Sequence, residues 1–312
     1  MGVPTLLDRR LAIVTGKGGV GKSTVTAALA LLAAREGKRV LVCEVNAPQE
    51  RIAPLLGAPP AGAAIRAARP GIWTVNVSPP QAMREYGLMV LRFKTIYDAV
   101  FENRLVRYFL RVVPSLAELV MLGKILHEAR SEERGVPRWD LVLVDAPATG
   151  HCVQLLRVPA ALLDTVPGGP LRHDAQWMER LLVDPVRTAL AIVTLPEEMP
   201  VNEAAELDAQ VREVLGIHRA ALFVNAMPAA RFTAAEAAAL APLAERPPPL
   251  GPAARAARLQ ALRAEQAGRH LARARAAIEL PATVLPLRAA ADWGLEQVEA
   301  LAGAIAAGEE GR

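Results

Sequence analysis

Cysteine and lysine are scarce in this 312-residue chain. It holds two cysteines, Cys43 and Cys152, far apart and in no C-x-x-C pair. That excludes a disulfide framework and fits a reducing compartment, so a cytoplasmic location is expected. Aromatics make up only 4% of residues. No stretch of about 18 apolar residues occurs, which predicts no transmembrane segment. The first apolar run, Leu11–Val14, is too short for a secretory leader. Met1-Gly2 lacks the Ser or Thr at position 6 that myristoylation requires. The formal net charge of +4 is too small an excess to argue for nucleic acid by itself. What is present is ordinary globular composition, 52% hydrophobic and 22% charged, in a length that suits one large domain over 1–312.

The lysines are Lys17, Lys22, Lys38, Lys94 and Lys124, in a chain that otherwise uses arginine. Two of them lie in one nine-residue loop. Compact ammonium groups kept there point to chemistry that needs them.

Leu11-Ala12-Ile13-Val14 reads as a buried strand, followed by a glycine loop and an Ala/Leu-rich helix over about Ser23–Glu36 that Gly37 ends. Arg39–Val45 is the next strand, giving a βαβ unit and hence a parallel sheet. Ile72–Val77, Leu141–Val144, Ala189–Leu195, Ala221–Val224 and Thr283–Leu287 complete the set. Continuous apolar strands alternating with helices predict an α/β fold, a doubly wound, mostly parallel sheet buried on both faces. Residues 81–134 carry no strand signal. There Tyr86, Phe93, Tyr97, Phe101 and Tyr108 recur at steps of 7, 4, 4 and 7, one face of a helix or helix pair. This predicts an α-helical insertion subdomain. A second helical segment is expected over 228–280, broken at Arg246-Pro247-Pro248-Pro249.

Gly16-Lys17-Gly18-Gly19-Val20-Gly21-Lys22-Ser23-Thr24 satisfies G-x-x-x-x-G-K-[ST] between a strand and a helix, the P-loop NTPase arrangement. Glycines let backbone N–H groups turn toward phosphate oxygens, and the helix start adds its positive dipole end. Lys22 is expected on the β- and γ-phosphates of ATP, and the Ser23 hydroxyl on Mg2+. Asp145 ends an apolar strand and reads as the second Mg2+ carboxylate, acting through water.

The segment Lys17–Ser23 resembles the deviant phosphate loop of the dimeric ATPases that include ArsA, the tail-anchored-protein targeting ATPases and the MinD/ParA group. Asp145-Ala146-Pro147-Ala148-Thr149-Gly150-His151 is similar to the D-T-A-P-T-G-H segment of the ArsA and targeting branch, which sets the chain apart from MinD and ParA. The resemblance implies a homodimer in which Lys17 reaches the partner's nucleotide. It also implies that Gly150 senses the γ-phosphate. Val193-Thr194-Leu195-Pro196-Glu197, continuing to Glu203, looks like the family's V-T-x-P-E strand end. By the same resemblance Asn225 reads the adenine edge and Pro286 lies in the base-side loop. Pro114–Glu118 resembles the family's P-G-x-x-E segment.

Two features depart from that pattern. Asn46 falls where the family has the Asp that orients the attacking water, and Asn cannot accept a proton. Hydrolysis is then slow, or Glu44 substitutes, or Asn46 acts by positioning alone; positioning is preferred, since phosphoryl transfer relies mostly on geometry and charge. The clustered thiolates of arsenite-stimulated members are missing.

For the role of the ATPase three expectations stand. The helical insertion offers a groove to a hydrophobic client helix, though a stripe at helical spacing equally fits a core. Alternatively the chain energises an anion or metalloid transporter in the membrane. The third is a ParA/MinD-like positioning switch. Arg255, Arg258, Arg269 and Arg273 share one helix face, but a solvated face or an acidic partner suits them better than nucleic acid.

Overall fold

The computed structural model describes residues 6–91, 116–290 and 292–308. Ten strands are described: β1 (Leu11–Gly16), β2 (Val40–Val45), β3 (Arg66–Arg69), β4 (Ile72–Val77), β5 (Glu132–Glu133), β6 (Val136–Pro137), β7 (Leu141–Asp145), β8 (Thr188–Thr194), β9 (Arg219–Met227) and β10 (Ala282–Pro286). Eight of them form one sheet in the order β10-β9-β8-β1-β7-β2-β4-β3, and β5 and β6 pair separately. Within the large sheet every described pairing is parallel except β3 against β4 at the edge.

The unbroken apolar runs have a physical reason. Alternate side chains of a strand leave opposite faces, so a strand covered on both sides needs no polar position. Leu11 and Ile13 enter one hydrophobic cluster while Ala12 and Val14 enter the other. Leu190 and Ile192 divide from Ala191 and Val193 in the same way.

Ten helices are described: α1 (Lys22–Arg35), α2 (Ile52–Leu55), α3 (Pro79–Leu91), α4 (Leu116–Arg130), α5 (Thr149–Thr165), α6 (Pro170–Val183), α7 (Glu198–Gln210), α8 (Ala234–Ala239), α9 (Leu250–Ala277) and α10 (Leu295–Ala306). α1 and α10 cover one face of the sheet through Val25, Leu29, Val298 and Leu301. α4, α5, α6 and α7 cover the other through Leu126, Leu155, Leu182 and Leu207. α1 is buried along most of its length and stops at Gly37, whose φ of +83° suits the left-handed turn after a helix.

α3 and α4 flank residues 92–115. Phe93, Tyr97, Phe101 and Tyr108 of the aromatic stripe, and with them the middle of the helical insertion read over 81–134, lie outside the described residues. Within 228–280 lie α8, a short 3-10 turn over Pro242–Glu245, and α9.

β1 lies between β7 and β8. The chain leaves it for β2, two places away, and returns to fill the gap with β7. Such a reversal opens a crevice at the carboxyl ends of the strands, where ligands of open α/β sheets bind.

Candidate nucleotide site

The glycine loop bridges β1 and α1 at that crevice. Gly16 stands at φ +151°, and a Cβ there would meet the Val193 carbonyl oxygen of β8 at 2.1 Å. A Cβ on Gly21, at φ +92°, would meet the Asn225 side-chain nitrogen at 2.3 Å. These two glycines are therefore fixed by neighbouring chain as well as by backbone angle. α1 has no side-chain cap and no acidic residue in its first turn. Its first N–H groups and its dipole are left for an anion. α5 likewise begins after Ala148 without a side-chain cap or an acidic first turn, so Gly150, in that turn, also offers an uncommitted N–H.

The Ser23 hydroxyl donates to Asp145 Oδ2 at 2.7 Å, and Thr26 approaches Oδ1 at 3.5 Å. Burial raises the Asp145 carboxyl above the usual carboxylate range, opposed by the Ser23 hydrogen bond and the Lys22 charge. Burial lowers the Lys22 ammonium, opposed by Asp145. Lys22 Nζ donates to the Lys17 carbonyl at 3.0 Å, curling back over the loop. A hydroxyl beside a buried carboxylate is a hard oxygen donor pair that suits Mg2+, and a cation there would favour the charged form of Asp145. Among the described residues no cluster of three His, Cys, Asp or Glu side chains stands ready for any other metal.

Two cavities meet at the loop. One, of about 350 Å³, is bordered by Lys22, Glu44, Arg51, Asp145 and Pro147. The other is a cleft of about 670 Å³ between the loop residues Gly19–Thr24 and a wall made by Asn225, Pro286, Arg288 and Trp293. Asn225 Nδ2 donates to the Val20 carbonyl at 2.9 Å, tying the end of β9 to the loop.

The structure thus brings Gly16–Thr24, Asp145, Asn225 and Pro286 to one crevice, with Gly150 in the first turn of the helix that follows β7. Asn46 is different. It is exposed at φ +48° and does not border the cavity that holds Lys22 and Asp145. Glu44 does border it. Its Oε1 accepts the Arg51 N–H at 2.6 Å, while Oε2 is buried and has no hydrogen-bond partner. Glu50 is spent on the backbone between α2 and β3, accepting the N–H groups of Ala61 and Gly62 at 2.7 and 2.9 Å. Lys17 is ion-paired with Glu203 of α7.

Arg51 and Trp293 were not legible as site residues. Arg51 borders both cavities, and Trp293 is 41% exposed at the cleft wall. No spacing rule singles out either, and the exposure that marks Trp293 among the four tryptophans is not visible in sequence.

Residues 9–166, just over half the chain, match the anion-transporting ATPase family, ArsA ATPase. The chain belongs to the ArsA ATPase family. ATPase BagA of Mycobacterium tuberculosis is 34% identical over 205 residues, covering 63% of this chain and 59% of that protein. Arsenical pump-driving ATPases of Acidiphilium multivorum and Escherichia coli are 27% and 25% identical over 229 residues, covering 68% of this chain and 38% of each relative. The chain therefore spans less than two thirds of the length of these ArsA-family relatives. The match to the ArsA ATPase family includes the glycine loop, Asn46 and the Asp145–His151 segment.

Proposed function

We propose that the chain binds Mg-ATP in this crevice and hydrolyses it as a homodimer, coupling turnover to a conformational change that acts on a client or membrane partner. The observation that carries the reading is the cradle itself. Gly16 and Gly21 have no room for a side chain, α1 is uncapped, and Lys22, Ser23 and Asp145 converge at its mouth. The loop N–H groups and Lys22 hold the phosphates, Ser23 and Asp145 hold Mg2+, and Asn225, Pro286 and Trp293 line the base side. Mg2+, when bound, supplies positive charge against the phosphate oxygens during transfer.

The dimer reading rests on Lys17, whose family resemblance implies action on the nucleotide of a second copy; in this chain its ammonium is paired with Glu203, apart from the Lys22–Asp145 group. Such a cation acts where charge develops in the transition state.

A second reading, energising a membrane transporter, draws on relatives named as arsenical pump-driving ATPases. A metalloid trigger finds little support in this chain. Both cysteines are buried. Burial raises the Cys43 thiol strongly and pushes Cys152 up to about 11, so neither offers the thiolate that soft ions need. Among the described residues no helix is long and apolar enough to cross a membrane.

The test is ATP turnover by phosphate release for the parent, Lys22→Ala and Lys17→Ala, with sedimentation in the presence of a non-hydrolysable ATP analogue. Lys22→Ala is expected to abolish turnover. Lys17→Ala is expected to keep nucleotide binding and slow turnover by about 10³-fold or more. Unchanged turnover in Lys17→Ala, or a monomer at every nucleotide concentration, sinks the dimer reading.

A further inference from the structure

The site contains one buried polar atom with nothing to bind. Glu44 is 2% exposed, and its Oε2 has no hydrogen-bond partner while Oε1 is held by the Arg51 N–H. An unsatisfied buried carboxylate oxygen costs more than an ordinary missing hydrogen bond, and such an atom in a native structure calls for a ligand, an ion or a water. The place is telling. Glu44 is the register partner of Asp145 across β2 and β7, and both border the cavity that contains Lys22.

The other acceptors around the phosphate end are committed or elsewhere. Asp145 Oδ2 is taken by the Ser23 hydroxyl, and the Thr26 hydroxyl, which donates to the Lys22 carbonyl at 2.9 Å, lies 3.5 Å from Oδ1. Glu50 is taken by two backbone N–H groups. Glu203 is taken by Lys17. Asn46 is exposed and outside the cavity lining.

We propose that Glu44 Oε2 accepts the hydrogen bond that orients the water attacking the γ-phosphate. The inference rests on the ATPase reading above. The water oxygen forms its bond to the γ-phosphorus as the bond from that phosphorus to the bridging oxygen breaks. ADP leaves with that oxygen, one water proton stays on the phosphate formed, and the other passes to solvent. Glu44, in its ionised form, accepts the hydrogen bond throughout and is unchanged at the end. Oε2 is shielded from solvent in this conformation, so the lining of the Lys22 cavity must open before a water reaches it. Oε1 anchors the far end of the loop after β2 through the Arg51 N–H. This assigns to a strand residue the task that the family pattern gives to position 46.

The experiment compares kcat, KM and equilibrium affinity for a fluorescent ATP analogue in the full-length parent, Glu44→Gln, Glu44→Asp and Asn46→Ala, with thermal melts for each. Gln keeps the volume and the Oε1 acceptor but puts an NH2 group, a donor that accepts nothing, at the second position. The expected result is a fall in kcat of about 10²-fold or more for Glu44→Gln, with nucleotide affinity within a few-fold of the parent, and an intermediate kcat for Glu44→Asp. Three results overturn the proposal: parental kcat in Glu44→Gln, a loss of kcat matched by loss of nucleotide affinity or of folding, or a larger fall in Asn46→Ala. A parent that turns over no ATP overturns the ATPase reading itself, and with it this inference. An active parent with an indifferent Glu44→Gln overturns the inference alone.

Discussion

Lys17 of the glycine loop and Glu203 of α7 form an ion pair within one chain, across 186 positions of sequence. The two side chains are 31% and 30% exposed, so the pair is worth up to about 1 kcal/mol. If Lys17 works on a second protomer, that contact must open first. Glu203→Gln is then expected to strengthen nucleotide-dependent dimerisation by up to about fivefold, read by sedimentation with a non-hydrolysable analogue. Dimerisation indistinguishable from the parent would reduce the pair to a solvated contact.

Gly16→Ala is expected to destabilise the fold by about 2 kcal/mol or more, because the new methyl would press on the Val193 carbonyl of the neighbouring strand. Gly18→Ala should cost within about 0.5 kcal/mol, since a Cβ there meets nothing within 4 Å. Denaturant titration of both variants checks the contrast. Equal stabilities would mean that the approach of β1 to β8 is looser than described.

Burial pushes the Glu44 carboxyl from its ordinary 4.5 up to about 7, with the Arg51 and Ile52 N–H groups acting against the rise. The folded chain therefore binds a proton that the unfolded chain has released. That contribution to stability is complete below the unfolded value of 4.5 and is lost as pH rises through about 7. Glu44→Gln lacks it. The melting temperature of the parent, relative to the variant, should fall between about pH 5 and pH 8. A constant difference across that range would refute the shift.

Trp293 should report on the base. It is the most exposed of the tryptophans, at 41%, while Trp139 is buried at 4%. Base–aromatic stacking is worth about 1–3 kcal/mol, so Trp293→Ala is expected to weaken nucleotide binding by about fivefold to a hundredfold. Nucleotide titration should also perturb the indole fluorescence of the parent, and a silent titration of a binding-competent parent counts against stacking.

The sheet and the loop could be read from sequence because local rules and tertiary structure agree there. Leu11–Val14 is apolar at every position because both faces of β1 are covered, and Gly16 and Gly21 stand where side chains are sterically barred. β3 was not legible. Arg66-Ala67-Ala68-Arg69 has no apolar alternation and extends only because β4 offers an edge to pair with. The β5–β6 hairpin, at 132–137, begins inside the 81–134 stretch read as helical and without strand signal, and runs past its end. Its two-residue turn is Arg134-Gly135, at φ +56° and +77°, the mirror-image turn that joins tight hairpins. Local propensity also says nothing of which acceptor is left over. That Asn46 is exposed and off the cavity lining while Glu44 keeps a free oxygen depends on contacts made only in the fold, such as those of Glu44 with residues 51 and 145.

Both native thiols are buried and held in their protonated form, so they should be inert to maleimides under conditions that label an ordinary surface cysteine. The natural chain is therefore close to a cysteine-free background. A single cysteine placed on the outer surface of α9 would carry one spin label or dye per subunit. The distance between two such probes could then be followed through an ATP cycle without first removing any residue of the native protein.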